Sequence, residues 1–214
     1  MFRVISNAGR RINVCKFPSQ KNRQNIWTES IIELCFAIIC ERDPNVVRYS
    51  TQSVRIHYQL DGKRRSYTPD FLIYRKIGRP LIVEIKYQRK ITARFEQLFR
   101  IVPPICDRAG FDFCVKTETD ILVEPLLTTF KRLRYYSQTP IHPHHQLLAH
   151  QFLSKRPAPT LGEMFDFFES ERSERTVVLA LLHHNFISTD YSIPLGLNSP
   201  IWVVGTENKA GGHV

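Results

Sequence analysis

Acidic residues are absent from the start of this chain. None precedes Glu29, although Arg3, Arg10, Arg11, Lys16, Lys21 and Arg23 do. A stretch charged with one sign favours a polyanionic partner over generic solubility. Long apolar runs are also missing. Leu34 to Cys40 is the longest near-continuous one, and a bilayer crossing needs about 20 such residues, so no membrane partner is expected. The five cysteines are odd in number, scattered, and never spaced C-x-x-C. That argues against a disulfide framework and a zinc ribbon, and predicts reduced, mostly buried thiols in a cytoplasmic protein. The opening residues Met1 to Asn7 lack a charged-then-apolar secretory pattern. There is no internal repeat and no low-complexity tract.

What is present is a core-forming chain with a lopsided charge. The 214 residues are 43% hydrophobic, enough for one good core or a medium domain plus a small one. Residues 1–141 hold 25 Lys+Arg against 13 Asp+Glu, while residues 142–214 hold 5 against 7. The net charge of +10 is therefore carried by the first part of the chain. Nucleic acid is the partner class this favours.

The richest stretch is Ser66-Tyr67-Thr68-Pro69-Asp70-Phe71, followed by Val83-Glu84-Ile85-Lys86. Leu72 to Tyr74 and Leu81 to Val83 read as two strands joined through the polar, Gly/Pro-containing Arg75 to Pro80. Side chains alternate along a strand, so Glu84 and Lys86 share one face and Ile85 points into the core. Two carboxylates and a lysine on one surface are the residue types that metal-assisted phosphodiester hydrolysis uses. A solvated cross-strand salt bridge is the plain alternative. Against it, the apolar flanks would bury these charges, which is costly without a partner.

Around that motif the pattern reads α/β. Thr28 to Glu41 is expected to be a helix, capped by Thr28 or Ser30, with Ile31, Ile32, Cys35, Ile38 and Ile39 inward. Val46 to Gln59 is β-rich, and Asp61-Gly62 signals a tight turn. A helix is expected over Ile91 to Ala109, broken or kinked at Pro103-Pro104, then a strand over Phe111 to Lys116. Ile121 to Tyr136 has helical spacing, and Ser137 to Pro143 reads as a linker. Helical patterns near 144–153, 160–169 and 171–184 precede two short strand-like runs, Asn185 to Ser192 and Ile201 to Val204. The expected domains are a basic arm (1–26), a catalytic domain (27–137), a small helical, winged-helix-like domain (138–205) and a loose tail (206–214).

Glu33 is a third acid in a suitable place. With Ser30 it also fits a capping box that would only close its own helix, and Glu29, one turn earlier, shares its face. Glu33 on a helix, Pro69-Asp70 on one strand and Glu84-Ile85-Lys86 on the next resemble the PD-(D/E)xK nuclease superfamily. Glu29 to Glu33, Asp43-Pro44-Asn45-Val46, Gln52 and Tyr67 to Phe71 resemble one branch of it, TnsA, the endonuclease subunit of heteromeric, Tn7-like bacterial transposases. The likeness covers about residues 28–120 and continues faintly through Leu181 to Asp190. Ser53 stands where that family often has proline, and Glu84 where some relatives have glutamine.

The resemblance implies a restriction-endonuclease-like mixed sheet flanked by helices, in a bacterial cytoplasmic protein. It implies cleavage of the non-transferred strand at double-stranded transposon ends, beside a DDE transposase (TnsB-like) and an AAA+ ATPase regulator (TnsC-like). It assigns Asp70 and Glu84 as ligands of Mg²⁺, with Mn²⁺ able to substitute, the Ile85 carbonyl and Glu33 as further ligands, and Lys86 as the residue that positions water. Two rivals stand beside it: a free-standing nuclease of restriction or resolvase type, and a non-catalytic DNA-binding adaptor. Candidate DNA contacts are Arg64, Arg65, Arg89 and Lys90 beside the motif strands, and Lys131, Arg132 and Arg134 further on. Lys131, Arg132 and Arg134 could equally only solvate their helix face, whereas the position of the other four beside the motif strands favours DNA contact. His142, His144, His145 and His150 invite a zinc reading, but Pro143 interrupts them and a surface linker is expected. His183-His184 fits a helix C-terminus.

Overall fold

The computed structural model describes residues 14–204. The chain divides into two compact units between Leu122 and Val123, earlier than the boundary expected at 137.

Unit one is built on a four-stranded mixed sheet. Its strands are β3 (Val46–Thr51), β6 (Phe71–Arg75), β7 (Leu81–Ile85) and β8 (Asp112–Lys116), in the order β3-β6-β7-β8. The first three run antiparallel to their neighbours, and β8 lies parallel to β7. Two further hairpins pair only with themselves: β1 (Cys15–Ser19) with β2 (Gln24–Thr28), and β4 (Ile56–Leu60) with β5 (Lys63–Tyr67). The turn into β5 is the Asp-Gly pair, with both residues at positive φ (Asp61 52°, Gly62 70°), the conformation a tight hairpin of matching twist requires.

Period-two burial assigns the faces of the sheet. Phe71 meets Phe36 of helix α1 (Ile31–Arg42) edge-on at 5.0 Å, and Tyr49 lies against the same ring. Leu72 and Ile82, of opposite parity, cluster with Ile56, Val102 and Cys106, the last two from helix α2 (Ala93–Arg108). Glu84 shares parity with Ile82, so the motif lies on the α2 side. Helix α1 starts at Ser30, whose hydroxyl accepts from Glu33 N–H. Thr28 belongs to β2 instead, and Ile31, in the first turn, is 54% exposed rather than inward.

Two expectations turn on proline. Pro103 and Pro104 lie inside α2 without ending it. The helix is held by burial of Val102 and Cys106, while the chain around Arg100 and Pro104 is exposed, so carbonyls that lose their N–H partners can take water. The helical spacing of Ile121 to Tyr136 is split at Pro125 into α3 (Glu118–Ile121) and α4 (Leu126–Leu133).

The basic-arm reading does not hold for residues 14–26. Phe17, Ser19, Ile26 and Thr28 are buried, alternating with exposed Lys16, Pro18, Asn25 and Trp27, as a docked hairpin requires. Its turn is fastened to the end of α1. Glu41 accepts from Ser19 Oγ (2.8 Å), Gln20 N (2.7 Å), Lys21 N (2.9 Å) and Tyr49 Oη (2.8 Å). Lys21 Nζ donates to the carbonyls of Cys40 (3.0 Å), Asp43 and Val46 (2.7 Å). Residues 1–13 of that arm, and the tail 206–214, lie outside the described residues.

Unit two has its own core of Leu133, Phe152, Met164, Phe168, Leu181 and Leu182 with their neighbours. Helices α5 (Pro143–Ser154), α6 (Leu161–Ser170) and α7 (Arg175–His183) precede a short antiparallel pair, β9 (Ile187–Thr189) and β10 (Ile201–Val203). Leu133 contributes to this core, which is why the division precedes α4 rather than following it. No helix among the described residues is long and apolar enough to cross a membrane.

The Glu41 cluster predicts a measurable loss. Glu41→Ala removes the acceptor of four donors, and should lower the unfolding free energy by about 2 kcal/mol. Urea denaturation followed by Trp27 fluorescence tests it. A change under about 0.5 kcal/mol, the range of ordinary surface substitutions, would show that the hairpin is not fastened there.

Candidate functional site

Pairing of Phe71 with Val83 puts Asp70, just before β6, across from Glu84 near the end of β7. Asp70 Oδ2 accepts from Ile85 N–H at 2.7 Å, and the Asp70 carbonyl accepts from Gln52 N–H at 2.9 Å. The aspartate is thus fixed by backbone on both sides. Ile85 is buried and points away from it, as alternation requires.

Glu84 is buried, and donors reach both its oxygens. Lys86 Nζ lies 3.1 Å from Oε1, and Tyr67 Oη donates to Oε2 at 2.5 Å. Lys86 is backed by α2, its Nζ 4.3 Å from the centre of the Phe95 ring. The expected trio of Asp70, Glu84 and Lys86 therefore comes together. It is not a solvated surface bridge, since only 5% of the Glu84 side chain is exposed.

Glu33 has a different posture. Its Oε2 accepts from Glu29 N–H (2.8 Å) and its Oε1 from the Ser30 hydroxyl (2.6 Å), so it serves the start of its own helix, although through Glu29 N–H rather than the Ser30 N–H of a full capping box. Even so, its charge acts on the others. Burial pushes the Asp70 carboxyl up to about 8, with the negative charges of Glu84 and Glu33 adding to the rise; the Ile85 N–H and Lys86 oppose it. Glu33 is raised as well, by burial first, then by Glu29 and Glu84. Burial and the Glu84 charge raise the Tyr67 phenol far above its ordinary value.

Among the described residues, no group of three or more His, Cys, Asp or Glu side chains is arranged to hold a metal ion. The capping posture of Glu33 accounts for this, leaving Asp70 and Glu84 as the converging pair. Their chemistry still fits a hard divalent cation. They are oxygen donors, crowded by like charge and removed from water, and added positive charge relieves that repulsion.

The candidate DNA contacts scatter. Arg64 and Arg65 are adjacent on β5 and face opposite ways. Arg64 pairs with Gln59 on the exposed face, whereas Arg65 is half-buried opposite Tyr58, its Nε without a hydrogen-bond partner. Arg89 and Lys90 occupy a single exposed 3-10 turn after β7, both near the Tyr87 ring. In unit two, Lys131 and Arg132 are exposed at the end of α4, and Arg134 is half-buried just beyond. The histidines around Pro143 start α5 rather than forming a linker. His145 Nδ1 accepts from His142 N–H at 3.1 Å, so one ring nitrogen serves the helix end. His183 closes α7.

Sequence reasoning quoted Tyr67 only as part of a motif and gave it no role. Its link to Glu84 joins separate sheets, and no spacing rule reveals such a contact.

The raised Asp70 pKa fixes the sign of a pH effect. Stability from its protonated form is full below about 3.8, the ordinary value, and is lost as pH rises toward about 8. In EDTA, Asp70→Asn should therefore match wild type near the acid end and exceed it by on the order of 1–3 kcal/mol at alkaline pH. Thermal melts at both ends check this, and a gap that shrinks as pH rises would contradict it.

Residues 43–118 match the family described as TnsA-like endonuclease N terminal. The matched span lies in unit one and includes Tyr67, Asp70, Glu84 and Lys86, while Glu33 falls before it. No curated protein matches the chain. The sheet and the buried carboxylate pair with its lysine fall within this match, so residues 43–118 are similar to the endonuclease domain of TnsA-type proteins, and the arrangement is consistent with the PD-(D/E)xK superfamily.

Proposed function

We propose that this protein is the DNA endonuclease of a Tn7-like transposition system, cutting the non-transferred strand at the ends of the element. The observation that carries the reading is the convergence of Asp70, Glu84 and Lys86 inside the TnsA-like span. Asp70 and Glu84 would hold Mg²⁺, or Mn²⁺ in its place, with the Ile85 carbonyl and Glu33 as further oxygen ligands. Such an ion would supply Lewis-acid stabilisation of the phosphoryl group and make a water more reactive near neutral pH. Lys86 orients that water and offsets the negative charge that grows on the phosphate in the transition state. Phe95 and Glu84 keep the lysine in place. Water adds its oxygen to phosphorus, the bond to the 3′ oxygen breaks, and the products are a 5′-phosphate and a 3′-hydroxyl.

Double-stranded transposon ends are the substrate in this reading, and a TnsB-like DDE transposase cuts and joins the other strand. A TnsC-like AAA+ regulator completes the set, contacted through unit two. Three helices followed by a short strand pair support a winged-helix-like reading of that unit. The setting is the bacterial cytoplasm. Arg64, Arg89 and Lys90, all exposed, and Lys131, Arg132 and Arg134 in unit two supply phosphate contacts; Arg65 does so less readily from its half-buried position.

Strand-specific cleavage of an end duplex with Mg²⁺, with and without the cognate transposase, tests the reading. Wild type should cut the non-transferred strand only with its partner, and Asp70→Ala or Lys86→Ala should lose at least about 100-fold. Efficient cutting by the chain alone would point to a free-standing nuclease instead. Absence of cutting in every mixture, with DNA binding intact, would point to an adaptor.

DNA contact has its own test. Arg64→Ala should weaken duplex binding without regard to sequence and reduce the slope of log affinity against log salt by about 1. An unchanged slope would remove Arg64 from the DNA face.

A further inference from the structure

Lys86 alone cannot hold Glu84 in a useful posture. A single contact at Oε1 leaves the carboxylate free to pivot about its χ torsions. In this site the second oxygen is not free, because Tyr67 Oη donates to it at 2.5 Å. Tyr67 comes from β5, outside the sheet that carries Glu84. Its ring packs on the cluster of Ile56, Leu72, Ile82, Val102 and Cys106, so the hydroxyl is positioned by the core.

We propose that Tyr67 is a positioning residue of the catalytic centre, which fixes the Glu84 carboxylate for the cation. The inference rests on the reading of Asp70 and Glu84 as cation ligands. Partners that orient a ligating carboxylate typically affect metal affinity or activity by about 10–100-fold, and that scale sets the expectation. Tyr67→Phe keeps the ring and its packing and removes only the donor.

The test is calorimetric titration of the full chain with Mn²⁺, using wild type, Tyr67→Phe, Asp70→Ala, Glu84→Ala and the Tyr67→Phe/Glu84→Ala pair. Tyr67→Phe should bind Mn²⁺ about 10-fold or more weakly. In the Glu84→Ala background it should change nothing further, because the hydroxyl acts through that carboxylate. In cleavage assays with the transposase, the Mg²⁺ half-saturation should rise by the same factor, with the rate at saturating metal largely kept.

Equal Mn²⁺ affinity in wild type and Tyr67→Phe, with Asp70→Ala deficient, would overturn the proposal and leave the site reading intact. An additive loss in the Glu84→Ala background would do the same, marking Tyr67 as a packing residue. Mn²⁺ affinity unaffected by Asp70→Ala would overturn the site reading itself.

Discussion

Negative charge buried at the ends of β6 and β7, with less positive charge than it needs, is the constraint around which unit one is organised. Burial, Glu84 and Glu33 all act against a charge on Asp70, and Ile85 N–H and the Lys86 charge oppose them. Each support belongs to an element that the sheet must place. Ile85 N–H is available because β7 pairs with β6 in one register, and Lys86 because β7 extends one residue further, its N–H bonded to the Lys116 carbonyl. A shift of one residue would turn Glu84 and Lys86 to the other face and leave Asp70 facing an isoleucine.

Much of this was legible in the sequence, for identifiable reasons. The Asp-Gly turn, the apolar runs beside Asp70 and Glu84, and the parity linking Glu84 to Lys86 are local, and local rules read them. The β1-β2 hairpin was not legible. Its alternating residues, Phe17, Ser19, Ile26 and Thr28, include two hydroxyls, so no apolar stripe stands out, and its anchor is a glutamate on a distant helix. Likewise, Pro103 and Pro104 mark a break by local rule, yet tertiary burial of Val102 and Cys106 carries the helix past them. The role of Tyr67 depended on two sheets meeting, which period and spacing do not encode.

The unit boundary teaches a related lesson. Pro140 and Pro143 look like linker punctuation, but Pro143 sits in the first turn of α5, where its missing N–H costs nothing. Pro125, less conspicuous, precedes α4 at the true change of core. Composition marks where a chain is irregular; which core the apolar face of α4 joins decides where it divides.

The capping posture of Glu33 carries a consequence for how the site is governed. Its carboxylate cannot turn toward Asp70 and Glu84 without leaving Glu29 N–H and the Ser30 hydroxyl, so recruiting it loosens the first turn of α1. Any service of Glu33 to the acidic pair therefore costs helix-end order, and α1 and the site are not independent. Exposed Ile31 sits in that same first turn and Trp27 shortly before it, so this corner of unit one is held by hydrogen bonds more than by burial.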